Sequence, residues 1–332
     1  MKRLFLLIAL FCPIWMGVCT VSAQQRATKV RVVIDNDYCG DPDGLFQLAH
    51  QLLCTTCDIR GIIGSRLPAG DMLHRGEDQP QLSCEKAREV IRLMGMEHRN
   101  IPLTTDADLI VREARLCTPE KPLFVLAGAG LQNVAAACLQ DTTIQDRIIV
   151  IWIGGKEYNN NENQNQNENR NGLDFGFYAP PGHGSSEYNF SISPEGAMTV
   201  FNDLRVRLWQ VPRDAYRQCL YSLDEVRERI RPCGKIGKYL YDELMKTILL
   251  NDRLGKPMGE VYALGDSPLV LLSALQTGYA QDPASSYYRL VPCPHLNADG
   301  TYSPNPQGRP IRVYTRLDVR LMLANFEAKM KR

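Results

Sequence analysis

The stretch VVIDNDYCGDPDGLFQL, from Val32 to Leu48, decides the fold and places the first candidate site. Its apolar beginning belongs to the β-branched run Lys29 to Asp35, which predicts a buried strand. Four carboxylates follow within nine residues, namely Asp35, Asp37, Asp41 and Asp43. Because like charges at this spacing repel one another, we expect a positive group among them.

The segments that follow alternate between helix and strand patterns. Leucines and other apolar residues after Gly44 are spaced for one helix face. Further strand patterns lie at 59–65, 122–130, 147–155 and 206–212, and helix patterns at 87–94, 131–140, 193–204, 235–250 and 317–330. Strands that alternate with helices predict an α/β fold: one domain, with a mostly parallel central sheet flanked by helices.

The carboxylates stand where such folds keep their sites. Ligands of open parallel sheets bind beyond the carboxyl ends of the strands, and Asp35 and Asp37 end the first strand. Clustered oxygen ligands suit calcium or magnesium better than zinc. The spacing is not that of an EF-hand. The alternative is a solvated acidic turn with capping aspartates.

The same stretch resembles the N-terminal aspartate signature of the nucleoside hydrolases. Three further segments resemble family motifs in the same order: GAGLQNVAAACL at 128–139, SSEYNFSISPEGA at 185–197, and ALGDSPLVLLSAL at 263–275. The matches span most of the chain. They imply a Rossmann-like topology and hydrolysis of the N-glycosidic bond of ribonucleosides.

The resemblance also implies roles for individual residues. Asp37 would bind Ca²⁺ and act as general base, with Asp266 as the distant metal ligand and Gln132 contributing its backbone carbonyl. Metal ligands are also expected from Asp41 and Asp43. Substrate-binding roles fall on Asp41, Asn133, Glu187 and Asn189, the last two toward the ribose hydroxyls, and Asp35 would support the metal ligands from behind.

Three positions depart from the family pattern. The adjacent aspartate pair is spread over Asp41 and Asp43, and two alignments leave open which of them binds metal. Gly265 stands where the family has a histidine, which removes a candidate acid for the leaving base, and Ser193 stands where it has an aspartate. His183 is a candidate replacement for the acid.

With these departures, the sequence is compatible with two functions. The first is a metal-dependent hydrolase that attacks a ribonucleoside or a related glycoside with a metal-activated water. The alternative is a non-catalytic protein that keeps the metal site and binds a sugar or nucleoside. Both take a small-molecule partner.

The N-terminus predicts export. Lys2 and Arg3 precede an apolar stretch, and small residues at Val21 and Ala23 complete the pattern of a signal peptide over residues 1–23. The domain would then span 24–332, in the periplasm or secreted, with no membrane contact after cleavage. Without Lys2 and Arg3 the 38 basic residues fall to 36 against 37 acidic ones, and no basic patch predicts nucleic-acid binding. The sequence leaves a homo-oligomer open.

Two other features bear on the architecture. Nine cysteines follow residue 23, an odd and scattered set that predicts buried thiols or a single disulfide. The polar tract Asn159 to Gly172 has no apolar residue and predicts a surface loop. We expect a neutral insertion there, with a lid over the site as the alternative.

Overall fold

The computed structural model describes residues 29–71, 76, 78–158, 186–276 and 286–332. The predicted signal peptide, the polar tract Asn159 to Gly172 and His183 lie outside these ranges. Twelve strands are described: β1 Val30–Asn36, β2 Cys57–Gly64, β3 Leu103–Thr104, β4 Leu123–Ala127, β5 Ile148–Ile153, β6 Arg207–Val211, β7 Leu220–Ser222, β8 Val261–Ala263, β9 Tyr287–Pro292, β10 His295–Leu296, β11 Tyr302–Ser303 and β12 Pro310–Arg316.

Eleven α-helices connect and cover the strands in the described ranges. They are α1 Asp43–Leu52, α2 Gln79–Leu93, α3 Asp108–Arg115, α4 Gln132–Gln140, α5 Tyr188–Ile192, α6 Pro194–Met198, α7 Arg213–Tyr216, α8 Leu223–Glu225, α9 Gly234–Arg253, α10 Pro268–Ala274 and α11 Val319–Met330. Two π-helical turns, Thr199–Asp203 and Val226–Ile230, continue α6 and α8.

Eight strands form the central sheet, in the order β3-β2-β1-β4-β5-β6-β12-β9. All neighbours are parallel except β9, which runs antiparallel to β12 at one edge. Two small antiparallel pairs, β7 with β8 and β10 with β11, lie outside the sheet. The predicted single α/β domain with a mostly parallel sheet is therefore confirmed.

The apolar strands are buried because helices cover both faces of the sheet. In β1, Val32 and Ile34 belong to one hydrophobic core, and Val33 between them belongs to the other. Successive side chains of a strand point to opposite faces, so a strand between two cores must be apolar throughout. The same reasoning explains β5, in which all six residues are buried.

The last helix of the chain packs against the first. The ring centroids of Phe46 on α1 and Phe326 on α11 are 6.0 Å apart. Nearby, His50 Nε2 lies 3.0 Å from Asn325 Oδ1, and burial lowers the pKa of His50 from 6.5 to about 4. The residues that begin and end the described fold thus share one core.

The buried His50 predicts acid sensitivity. Between these two pKa values the unfolded chain binds a proton that the folded protein does not, so stability is lost as pH falls below 6.5. This costs the fold about 2 kcal/mol at pH 5 relative to pH 7.5. Urea unfolding of His50→Gln should lack this loss, whereas the exposed His98→Gln should keep it. Equal pH dependence in all three proteins would contradict the assignment.

The cysteines resolve the open alternative in favour of buried thiols. All nine described cysteines are free; eight are buried, and Cys233 is half-buried. Burial raises the pKa of Cys54 and Cys57, the pair with redox spacing, which does not suit a catalytic thiol. Within the described residues, no helix is long and apolar enough to cross a membrane.

Candidate functional site

A cavity of about 170 Å³ opens at the carboxyl edge of the sheet. Five aspartates line it: Asp37 follows β1, Asp41 precedes α1, Asp43 begins α1, Asp71 lies in the loop after β2, and Asp266 follows β8. Glu187 and Asn189, at the start of α5, line it as well. The structure therefore brings together six of the residues that the sequence singled out.

The cavity is strongly acidic. Burial raises the pKa of Asp37 well above its usual range, and the charges of Asp266 and Asp41 raise it further. The pKa values of Asp43 and Asp266 are raised in the same way, first by burial and then by neighbouring carboxylates. No lysine, arginine or histidine is among the described residues that line the cavity. The cluster therefore lacks a counter-charge from those residues.

Asn36, which the sequence analysis passed over, holds this cluster together. Its Nδ2 donates to Asp266 Oδ2 at 2.9 Å, and its Oδ1 accepts from the backbone N–H of Asp37 at 2.8 Å. A Cβ on Gly128 would lie 2.6 Å from Asn36 Nδ2, so glycine is required for this close approach. The feature of the sequence that could have indicated this role is the position of Asn36 between Asp35 and Asp37 at the end of a strand.

Asp41 and Asp43 occupy different depths of the cavity. Asp41 is exposed at the mouth, and its Oδ2 accepts from Tyr262 Oη at 2.8 Å. Asp43 lies deeper, and its Oδ2 accepts from the backbone N–H of Asp266 at 3.1 Å. Both line the same cavity, so both alignments of the aspartate pair keep a carboxylate at the site.

The donor set suits a hard cation by charge and by chemistry, since all its ligating atoms are oxygens. As the side chains stand, no three Asp, Glu, His or Cys groups among the described residues are placed to hold a metal ion. Coordination would therefore require the carboxylates to turn toward a common point.

Glu187 and Asn189 are engaged by the protein itself. Oε2 of Glu187 accepts from the backbone N–H groups of Gly155 and Phe190, and Oε1 accepts from the N–H of Asn189 and from Tyr216 Oη. Asn189 Nδ2 donates to the carbonyls of Gly128 and Ile153, which joins the ends of β4 and β5. A bound hydroxyl would meet the side-chain oxygen of Asn189, which accepts no hydrogen bond from the described residues, or would displace a partner of Glu187.

Three predicted residues form a layer behind the cavity. Ser65 Oγ donates to Asp35 Oδ1 at 2.6 Å, Asn133 Nδ2 donates to the same oxygen at 3.0 Å, and Gln132 Nε2 donates to Ser65 Oγ at 3.2 Å. Burial raises the pKa of Asp35 to about 6. Asp35 therefore lies behind the cavity, and its role in supporting the metal ligands stays a prediction. The side chains of Gln132 and Asn133 point to this layer, and neither residue lines the cavity.

Two tyrosines in the cavity wall were also missed. Tyr216 ends α7, and its Oη lies 2.9 Å from Glu187 Oε1. Tyr188 stands at the rim and donates to Asp71 Oδ2 at 2.8 Å. A Cβ on Gly265 would lie 3.3 Å from Tyr216 Cδ2. The Tyr216 ring therefore stands beside the space that a side chain at position 265 would enter.

Position 155 beside the cavity has no room for a side chain. The φ of Gly155 is +89°, and a Cβ would lie 2.3 Å from Gln210 Nε2 and 2.5 Å from Tyr302 Oη. Gln210 is fully buried, and its Nε2 donates hydrogen bonds to the carbonyl of Gly154 and to Tyr302 Oη. Its side chain therefore has little room to move. Strain at positive φ plus overpacking predicts that Gly155→Ala loses about 3 kcal/mol of unfolding free energy.

A matched control separates these two costs. Gly259 also has positive φ, +69°, but a Cβ there would meet no atom within 4 Å. Gly259→Ala should lose only about 1 kcal/mol in the same urea titration. Equal losses in the two variants would contradict the packing argument.

The fold matches solved nucleoside hydrolases. A plant nucleoside hydrolase matches with a TM-score of 0.66 and 14% identity, over 91% of this chain and 98% of its own. A purine-preferring ribonucleoside hydrolase from Gardnerella vaginalis matches with a TM-score of 0.67 and 14% identity, over the same shares of both chains. The type III effector protein XopQ, solved with adenosine diphosphate ribose, matches with a TM-score of 0.59 and 12% identity, over 92% and 94%.

No protein-family model matches the sequence, and no curated protein matches it significantly. The shared property is therefore the nucleoside hydrolase-like fold. At 12% to 14% identity, the likeness concerns the fold alone.

Proposed function

We propose that this protein hydrolyses the N-glycosidic bond of a ribonucleoside or a related glycoside, with the help of a divalent cation. The observation that carries the proposal is the acidic cavity at the carboxyl edge of the sheet, where Asp37, Asp43 and Asp266 meet. In a nucleoside hydrolase-like fold, this edge is the expected position of a ligand site.

Asp37 is the proposed general base. It is buried directly after β1, and no side chain among the described residues donates a hydrogen bond to its carboxylate. Hydrolysis replaces the bond from the anomeric carbon to nitrogen with a bond to a water oxygen, and Asp37 takes a proton from that water. The surrounding carboxylates favour the positive charge that develops on the sugar.

Asp37, Asp266 and one or both of Asp41 and Asp43 would hold the cation, and the backbone carbonyl of Gln132 remains a further predicted donor. Ca²⁺ is the ion we propose, because it accepts several carboxylates in a flexible geometry. A bound divalent cation would lower the pKa of water and offset the repulsion among these residues. Their raised pKa values describe the cluster without such a partner.

Substrate hydroxyls would meet acceptors at the other side of the cavity. The Oδ1 of Asn189 accepts no hydrogen bond from the described residues and can accept one from a substrate hydroxyl, while its Nδ2 is held by two backbone carbonyls. Glu187 can accept a hydroxyl on Oε1 in exchange for Tyr216. A cavity of this size is suited to a sugar ring rather than to a whole drug-sized ligand.

The test is release of reducing sugar from a panel of purine and pyrimidine ribonucleosides, with and without 2′-deoxy analogues, in the presence of Ca²⁺. We expect steady release from at least one ribonucleoside. Release from none, with tight nucleoside binding in calorimetry, would instead support the sugar- or nucleoside-binding alternative. That alternative is favoured by Gly265 and by the full set of protein hydrogen bonds on Glu187.

A further inference from the structure

The departing base needs a hydrogen-bond donor, and the cavity wall offers few. A nitrogen leaving group gains negative charge as its bond to the anomeric carbon breaks, and a donor at that atom lowers the barrier. Among the described residues that line the cavity there is no histidine, lysine, arginine or cysteine. The described residues of the wall that carry a side-chain hydroxyl group are Tyr188 and Tyr216.

The two tyrosines differ in position. Tyr188 is 42% exposed, and its hydroxyl bonds to Asp71 at the rim. Tyr216 is largely buried between Glu187 and Gly265, with its ring 3.3 Å from the point where a Cβ of residue 265 would stand. A Cβ at position 265 would also lie 3.0 Å from Asp43 Oδ2, so the Tyr216 ring and the Asp43 carboxylate together form the inner wall of the cavity on that side.

We infer that Tyr216 donates the hydrogen bond that stabilises the departing group, in the role that position 265 cannot fill with glycine. This inference rests on the proposed glycoside hydrolysis. Burial, followed by the neighbouring Glu187, raises the pKa of Tyr216 well above its usual range, so the phenol stays protonated and can donate.

Substrate binding releases this donor. In the free protein the Tyr216 hydroxyl is held by Glu187 Oε1. A substrate hydroxyl that donates to the same oxygen takes the place of Tyr216, whose O–H is then free to turn into the cavity. This exchange of hydrogen bonds on Glu187 Oε1 couples correct binding of the sugar to activation of the leaving group.

The step balances without a further reactant. The bond between the anomeric carbon and nitrogen breaks, and its electron pair goes to the nitrogen. The water oxygen forms the new bond, and Asp37 takes one of its protons. Tyr216 keeps its own proton while it stabilises the departing anion, which is protonated from solvent as Asp37 releases its proton.

The test compares two leaving groups on one sugar in Tyr216→Phe. A purine ribonucleoside has a poor leaving group, whereas 4-nitrophenyl β-ribofuranoside releases a phenolate that is stable without a donor. We expect kcat/KM for the nucleoside to fall about 100-fold, as for loss of one donor to a developing charge. For the nitrophenyl riboside it should change less than about 3-fold, since that leaving group needs no donor.

Tyr188→Phe is the matched control, because it removes the other hydroxyl of the wall. It should leave the ratio of the two kcat/KM values as in the wild type. Equal losses on both substrates in Tyr216→Phe would overturn the inference and make Tyr216 a positioning residue for Glu187. No loss on either substrate would also overturn it. A wild-type protein that releases sugar neither from any ribonucleoside of the panel nor from the nitrophenyl riboside would refute the proposed function itself, and this inference with it.

Discussion

Asp37→Asn is expected to lower sugar release about 1000-fold, within the range that removal of a general base produces. The amide has nearly the size of the carboxylate but cannot take a proton from water. The backbone N–H of Asp37 would still donate to Asn36 Oδ1, so the strand end keeps its anchor. The substitution also removes one negative charge from a cluster whose members raise one another's pKa. The folded state should therefore be at least as stable as in the wild type.

This combination distinguishes chemistry from folding. Rates should be measured by reducing-sugar release at saturating nucleoside, and stability by urea unfolding of the same preparations. Asp203→Asn, an exposed aspartate outside the cavity, is the control and should retain the wild-type rate. Wild-type turnover in Asp37→Asn would eliminate Asp37 as the base. A parallel loss of stability would show that the lost activity reflects unfolding.

Ca²⁺ should raise the melting temperature of the protein by several degrees. A ligand that binds only the folded state stabilises it by about 2.7 kcal/mol at 100 times its dissociation constant. For a domain of this size, each kcal/mol corresponds to about 1.5 °C. The source of the effect is the group of Asp37 and Asp266, which are buried, and Asp43, which is half-buried; a divalent cation would offset their mutual repulsion.

The measurement is thermal unfolding after EDTA treatment, with Ca²⁺, with Mg²⁺, and with NaCl at matched ionic strength. Asp266→Asn should abolish the shift, because it removes a proposed ligand while keeping an acceptor for Asn36 Nδ2. Asp203→Asn should keep it. An EDTA-treated wild type that melts at the same temperature in all three salts would contradict the metal proposal, whatever its activity.

The sequence predicted the parallel core well, because its signals are local. β-branched runs and helical spacing lie within single segments, and β1, β4, β5, α1 and α9 formed where those patterns stand. Helix α3 and strands β9 and β12 were not predicted. They are short or amphipathic, and the order of strands in a sheet depends on pairings between distant segments.

The site was predicted in part for the same reason. Three of the aspartates, Asp37, Asp41 and Asp43, are close together in the sequence and are visible there as a cluster. The role of Asn36 depends on its contact with Asp266, which is 230 residues away in the sequence. Tyr216 acquires its role through Glu187 and through the missing side chain at position 265. The sequence around Tyr216, at the end of a helix of four residues, does not indicate that these residues are its neighbours. The orientation of Gln132 and Asn133 toward Ser65 likewise depends on how α4 docks against β2.

The packing of α1 against α11 sets the order in which the chain can fold. His50 and Asn325 are 275 residues apart, so nearly the whole chain must be synthesised before this contact can form. Until then, the surface around Phe46 that Phe326 covers stays open to other apolar partners. Contacts of such long range slow folding and prolong the exposure of aggregation-prone intermediates. We therefore expect a chain that lacks α11 to aggregate more readily than the chain that carries it, because the apolar surface around Phe46 stays uncovered.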